Sequence, residues 1–323
     1  MARRSKKKAR KNAKAVVSTI LVLILALLAY TYQDELPFDL PFLSGDDLPA
    51  GNGTMGGQIS SIPAITDPNH LSVHYIDVGQ ADSILLTCGG EYMLIDAGET
   101  DSSDTVIHYL SDLGIDRLDL VVATHAHSDH IGGMDTVLAE IPTDEFWMGI
   151  MPEELVPSTK TYMDVLEQLD IGRVPYREPE VGTQYDLGGG GVLTVFGPQG
   201  IPDDLNNCSL VCRIDFGESS FLFSGDTEEA MEKKILKSGM DLDVDVMTMG
   251  HHGSSTSSCT EYFKAASPEY AVISCGTNNS YGHPHTETIK KLKNADVLYR
   301  RTDINGTVTF ITDGSNIEYS TER

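Results

Sequence analysis

His125-Ala126-His127-Ser128-Asp129-His130 stands just behind the apolar run Leu118-Asp119-Leu120-Val121-Val122-Ala123. Four metal-capable side chains in six positions is a density that core packing does not need. The apolar run is short and β-branched at its centre, which predicts one buried strand with the histidines emerging at its end. Gly132-Gly133 then allows a tight turn before a helix begins. Alternation along an extended chain lets His125 and His127 point to one side, and the turn swings Asp129 and His130 toward a second point. One short loop can therefore hold two metal ions.

The remaining ligands are sought at other strand ends. Phe221-Leu222-Phe223-Ser224-Gly225-Asp226 reads as a strand ending in Gly-Asp, and Asp226 is the expected carboxylate shared by two cations. Val244–Met249 runs into Gly250-His251-His252-Gly253-Ser254, placing imidazole beside permissive glycines. His252 reads as the ligand and His251 as an orienting or proton-handling group. Met93-Leu94-Ile95-Asp96-Ala97-Gly98 repeats the arrangement, with Asp96 suited to orient a histidine ring or to reach a metal itself.

These residues, His125-x-His127-x-Asp129-His130 with Asp96 before and Asp226 and His252 after, resemble the metallo-β-lactamase superfamily over roughly residues 71–323. The resemblance implies an α/β fold: an αββα sandwich with a dinuclear metal cleft along one sheet edge. The chain's own periodicity agrees. Strand-like runs cluster at 71–96 and 192–224, and amphipathic helical stretches lie near 103–113, 159–169, 227–238 and 286–293.

A narrower likeness rests on five ordered blocks: Asp77-Val78-Gly79-Gln80-Ala81-Asp82-Ser83, Asn206-Asn207-Cys208-Ser209-Leu210-Val211, Ser224-Gly225-Asp226, His251-His252-Gly253-Ser254 and Tyr281-Gly282-His283-Pro284-His285. Together they are similar to the hydrolase domain of ComEC-type competence proteins. In that family the domain is attached to a DNA-uptake channel and is implicated in degrading the non-transported strand. Here only one apolar segment approaches membrane length, so the expectation is a free-standing relative of the domain. Phosphorylcholine esterases of cell-wall teichoic acids share the Gly-Asp to His-His spacing, which keeps a second phosphodiester class open.

The chain also departs from the superfamily pattern. Most members place another histidine ligand between the cluster and the bridging aspartate, yet residues 131–225 contain no histidine. Asn207 or Ser209 is expected to occupy that region, and Asp82 to support the ligands. The site built from His125 and His127 is then the weaker one, whereas Asp129, His130, Asp226 and His252 form a complete set. Oxygen-rich ligation suits Mn²⁺ as well as Zn²⁺, so two divalent ions of either kind are expected.

Two cations sharing Asp226 would hold a water between them and lower its pKa from about 15.7 to near neutrality, making hydroxide the expected nucleophile with Asp129 in the reacting site. His251, His283 or His285 is expected to give the leaving oxygen its proton, since imidazole titrates near working pH. Gly282-His283-Pro284-His285 also fits a loop that shapes the substrate, or an ordinary exposed turn. Within residues 70–323 no Ser-x-x-Lys or Gly-x-Ser-x-Gly pattern supports serine catalysis. The substrate classes this leaves are DNA or another nucleic acid, a cell-wall phosphoester, and a β-lactam-like amide. A catalytically weak surface-binding module is the reading outside the enzyme class.

Residues 1–14 carry Arg3, Arg4, Lys6, Lys7, Lys8, Arg10, Lys11 and Lys14, and Ala15–Tyr32 follow without a charge. At 1.5 Å per residue this apolar stretch makes a helix of roughly 27 Å, close to the hydrocarbon thickness of a bilayer. The pattern is a signal anchor: basic tail in the cytoplasm, a single membrane span over 15–32, and the rest outside the cell membrane. Secretion after signal cleavage is the alternative, although no clear Ala-x-Ala site follows. Residues 33–69 mix proline and glycine without a period and read as a tether with an end-to-end distance on the order of 35 Å. Residues 70–323 suffice for one large hydrolase domain.

Charge bears on the substrate. Of 23 basic residues eight lie in the tail, which leaves 15 against 48 acids beyond Lys14. Such a domain repels polyanions, and no basic stripe with interleaved aromatics is visible, so DNA binding is expected to need divalent ions or a protein partner. Five cysteines cannot all pair within one chain. Cys208 and Cys212, read on one predicted strand, would stand about 13 Å apart, too far for a disulfide.

Overall fold

The computed structural model describes residue 67 and residues 69–323. The predicted tail and membrane segment, and the tether apart from its last residues, lie outside the described residues. Among the described residues no helix is long and apolar enough to cross a membrane.

The described chain forms β1 (Leu71–Tyr75), β2 (Ile84–Cys88), β3 (Glu91–Ile95), β4 (Leu120–Ala123), β5 (Phe146–Met148) and β6 (Tyr176–Arg177). It then forms β7 (Gln184–Asp186), β8 (Val192–Gly197), β9 (Val211–Phe216), β10 (Ser219–Phe223), β11 (Val246–Thr248), β12 (Tyr270–Ile273) and β13 (Leu298–Arg301), and closes with β14 (Val308–Thr312) and β15 (Ile317–Thr321). The first sheet has the order β15-β14-β1-β2-β3-β4-β5-β6 and the second the order β13-β12-β11-β10-β9-β8-β7.

Side-chain alternation turns these strands into layers. Met93 and Ile95 on β3 and Leu120 and Val122 on β4 face Phe221 and Phe223 on β10 in one buried core between the sheets. The residues between them face outward: Leu94, Val121 and Ala123 pack under the helices Ser103–Asp112, Met134–Glu140 and Lys160–Gly172. On the far side Leu222, Met247 and Ile273 pack under the helices Glu229–Ser238, Thr260–Ala266 and Thr286–Asn294. Strands buried on both faces read as continuous apolar runs, which is why these segments stand out in the sequence. The result is the α/β arrangement of two packed sheets with helices outside, as expected from the sequence.

Two stretches are parallel, β3-β4-β5-β6 and β10-β11-β12-β13, each strand joined to the next by a helical crossover. In parallel sheets the loops at the strands' carboxyl ends gather at one edge, where ligands bind. Asp96 follows β3, the histidine cluster follows β4, Asp226 follows β10 and His251-His252 follow β11. The topology therefore brings all four segments together.

One cysteine assignment changes. Cys208 belongs to a one-turn 3₁₀ segment, Asn206–Cys208, and only Cys212 lies on β9. All five cysteines are free, and all but the half-buried Cys259 are buried. Burial raises the Cys212 thiol to about 12, as fits a packing role.

Candidate metal centre

The loop after β4 is anchored before it reaches the histidines. Thr124 donates its N–H to Asp96 Oδ1 at 2.8 Å and its hydroxyl to Asp96 Oδ2 at 2.7 Å. His125 Nε2 and His127 Nδ1 then converge to 2.9 Å. The short helical turn Ser128–Ile131 brings Asp129 and His130 around behind them. His130 Nδ1 lies 2.7 Å from Asp96 Oδ2, which leaves Nε2 as the free ring nitrogen.

Asp226 lies between the two groups. Gly225, with φ of 49°, makes the turn out of β10, and an added Cβ there would press on Ser209 and Thr124 at 3.0 Å. Asp226 Oδ1 is 3.3 Å from His130 Nε2 and 3.9 Å from His252 Nε2, while Oδ2 is 3.9 Å from His125 Nε2. His252 Nε2 is 3.2 Å from Asp129 Oδ2, and its Nδ1 donates to the Ser274 carbonyl at 3.1 Å. Two sets of donor atoms share Asp226, namely Asp129–His130–Asp226–His252 and His125–His127–Asp226, and the atoms within each set lie within 4.8 Å of one another.

The donor set fits divalent cations. His130 Nε2 and Asp226 Oδ1 are both buried without a hydrogen-bond partner, an arrangement that costs free energy unless something positive sits between them. Titration carries the same message. Burial opposes charge on Asp226, but the positive charges of His130 and His252 hold its carboxyl well below the usual range. Burial likewise opposes protonation of His252, yet the charge of Asp226 and the bond to Asp129 lift it to about 9. Protons on these rings supply positive charge where the carboxylates demand it, and a cation can replace them.

The other predicted residues fall in three places. Ser209 Oγ accepts the Asp226 N–H at 3.1 Å and lies 3.3 Å from His125 Nδ1, tying the weaker cluster's histidine to the shared carboxylate. Asp82 Oδ1, buried and unpartnered, is 3.8 Å from His252 Nδ1. Asn207 is turned elsewhere: its amide donates to Asp203 and Asp204 at 3.0 Å, and its Oδ1 accepts from the Glu228 N–H at 3.1 Å, so it braces the loop after Asp226.

His251 and His283 line a cavity of about 280 Å³ over the clusters. His251 Nε2 is 3.6 Å from Asp226 Oδ2, the oxygen that also faces His125, and its Nδ1 is 3.5 Å from Glu228 Oε1. It is thus the imidazole on the side of the weaker cluster. Burial lowers His283 to about 4, and its Nδ1 lies 3.4 Å from the Gln80 amide nitrogen. His285 is tied to the loop below, where its Nδ1 accepts the Ser255 N–H at 2.9 Å. It does not line the cavity.

Thr124, Gln80, Glu228 and Tyr281 also belong to the site, beyond the residues that the sequence predicts. Gln80 and Tyr281 sit inside blocks already noted, but their placement depends on loops about two hundred residues apart. Thr124 carried a usable signal, as a hydroxyl directly after a strand and directly before the histidines.

Comparison with known proteins agrees with this geometry. The chain is 29% identical over 259 residues to "ComE operon protein 3" of Bacillus subtilis (strain 168), covering 74% of this chain and 32% of that protein. It is 29% identical over 258 residues to "Competence protein ComA" of Neisseria gonorrhoeae, covering 79% and 34%. The chain thus spans about a third of the length of these relatives. Among solved structures, CmlA, a diiron beta-hydroxylase from Streptomyces venezuelae, shares the fold with a TM-score of 0.50 at 14% identity, covering 74% of this chain and 53% of that one. The metallo-beta-lactamase superfamily model matches residues 76–277. With two His/Asp clusters gathered at the carboxyl ends of its strands, the chain belongs to the metallo-β-lactamase superfamily, a fold that in general implies a metal-dependent hydrolase, and is related to the competence proteins.

Proposed function

We propose that this protein is a membrane-anchored, extracytoplasmic phosphodiesterase that uses two divalent cations, Zn²⁺ or Mn²⁺, with nucleic acid, DNA above all, as its leading substrate class. The observation that carries the reading is Asp226, one carboxylate whose two oxygens face two separate sets of donors. Asp129, His130, Asp226 and His252 would hold one cation, and His125, His127 and Asp226 the other. When bound, such cations supply Lewis acidity, lowering the pKa of water from about 15.7 toward neutrality and offsetting the charge of phosphate oxygens.

The chain's own residues do the rest. Asp96 and the Ser274 carbonyl fix the ring orientations of His130 and His252. His251, backed by Glu228, is placed in the cavity to hold a proton for a leaving oxygen. His283 positions that wall of the cavity through Gln80. The names of the relatives point to competence in those proteins, and the basic tail with its apolar segment supports a membrane anchor here.

The acidic rim of the site favours a second reading. Glu99 and Asp101 line an adjoining cavity of about 360 Å³, which suits a phosphodiester carrying a neutral or cationic group, as in cell-wall polymers. One panel separates these classes. Full-length protein in detergent, loaded with Mn²⁺ or Zn²⁺, is offered bis(p-nitrophenyl) phosphate, single-stranded DNA and a phosphorylcholine ester. Hydrolysis that disappears in Asp226→Asn supports the reading, and inactivity on all three with both metals overturns it. Recovery of the protein in a carbonate-washed membrane fraction tests the anchor.

A further inference from the structure

We propose that Tyr281 is the stacking platform of a subsite for a nucleotide base beside the metal clusters, an inference that rests on the phosphodiesterase reading. Tyr281 is 66% exposed, while its ring lies against His283 with centroids 5.6 Å apart and planes 23° from parallel. His283 thus lies against one face of the ring, and two-thirds of the residue is left to solvent. Tyr281 also lines both the cavity over the clusters and the adjoining one of about 360 Å³; Gln80, Ser128 and Asp129 line both as well. A group lying on Tyr281 is therefore next to the position where a phosphate would meet the metal ligands.

The platform is held in place. Asn279 Nδ2 donates to the carbonyls of Gly276 at 2.9 Å and His283 at 2.6 Å, and its Oδ1 accepts the His283 N–H at 2.9 Å. Gln80 Oε1 accepts the Gly276 N–H at 2.9 Å. A Cβ on Gly276 would come within 2.6 Å of Gln80 N, so the two loops meet backbone to backbone. The segment carrying Tyr281 is thus tied at both ends, and little ordering remains to be done when a ring binds.

Charge and shape select the ligand. Glu99 and Asp101 in the outer cavity repel phosphate, so a phosphodiester chain has to place an uncharged part of itself there. A flat heterocycle satisfies this and gains the exposed part of Tyr281. A quaternary ammonium group is recognised by cages of several aromatic faces, and Tyr281 is the only Phe, Tyr or Trp lining either cavity among the described residues.

Calorimetric binding of deoxynucleoside 5′-monophosphates and of deoxyribose 5-phosphate to the full-length, Mn²⁺-loaded protein tests this without needing turnover. The expected result is about tenfold tighter binding of the nucleotides, a preference lost in Tyr281→Ala and kept in Tyr281→Phe and Tyr281→Trp, with metal content unchanged. Equal affinities in the wild type, no binding of either ligand, or a preference that survives Tyr281→Ala overturns the subsite. So does a larger Tyr281-dependent gain for phosphocholine than for nucleotides. If the phosphodiester panel fails while the Tyr281-dependent preference for nucleotides stands, the catalytic reading falls and the base subsite remains.

Discussion

Asp96 Oδ2 lies 2.7 Å from His130 Nδ1, and the same carboxylate accepts both the N–H and the hydroxyl of Thr124. One buried side chain thus fixes the loop that begins the histidine cluster and the ring that ends it. Carboxylates in this position raise the basicity of a ligand and lock its tautomer. Asp96→Asn keeps the shape but removes the charge, so metal affinity of the cluster with Asp129, His130, Asp226 and His252 is expected to fall about 10- to 100-fold. Competition with a chelator reads this directly, and an unchanged affinity would show that packing alone orients His130.

The two clusters are unequal, which gives metal loading a predicted order. Asp129, His130, Asp226 and His252 offer four donors, three of them on buried residues, whereas His125 and His127 have only Asp226 with them. His251, 3.6 Å from the shared carboxylate, is the nearby imidazole on that side. Titration of metal-free protein should show one tight and one weaker equivalent. His127→Ala should remove the weaker step and leave the tight one, and His252→Ala should weaken the tight one. Loss of both steps in His127→Ala would contradict a four-donor cluster that fills before and without the weaker one.

The elements that can be read from sequence are those whose physics is local. Met93–Ile95 and Phe221–Phe223 are buried on both faces, so their apolar runs announce strands, and the six residues 125–130 announce their chemistry by composition. Long-range geometry is not written that way. Gln80 and Gly276 meet across 196 positions, and nothing near either residue signals the contact. Asn207 shows the opposite failure: it stands beside Ser209 in the sequence, but Asp203 and Asp204 claim its amide and only Ser209 reaches the site. His251 and His252 are adjacent, yet with both in the left-handed region, φ 53°, one turns to Asp129 and the other to Glu228.

A backbone contact that involves none of the metal ligands directly should control them. Gly149 follows β5, and a Cβ there would lie 2.0 Å from the Cys208 carbonyl oxygen. Gly149→Ala has to push away the segment whose next residue, Ser209, accepts the Asp226 N–H. The expected cost is about 1–3 kcal/mol of stability, as for other overpacked sites, together with lower occupancy of the His125–His127 cluster. Thermal unfolding and metal content measured on the same preparations check both parts. Normal stability with normal metal content would mean that the two segments separate freely.

Glu232 gives the fold a pH dependence whose sign is fixed. It is fully buried, with Oε2 accepting the Cys259 N–H at 2.7 Å and Oε1 accepting from Ser258, and so pins the end of the loop that carries His251 and His252. Burial raises its carboxyl from 4.5 to about 7, against the pull of these amides and of Lys291. Between those values the unfolded chain has released the proton and the folded protein still holds it. The stabilising contribution is therefore full below about pH 4.5 and is lost as pH rises through about 7, a change of about 3 kcal/mol from the linkage of the shift. Glu232→Gln cannot ionise, so its stability relative to wild type should rise by that order between pH 4.5 and 7.5. Urea unfolding with chelator present, at several pH values for both proteins, measures the difference. A difference that stays flat across this window would mean that Glu232 titrates as an ordinary carboxylate despite its burial.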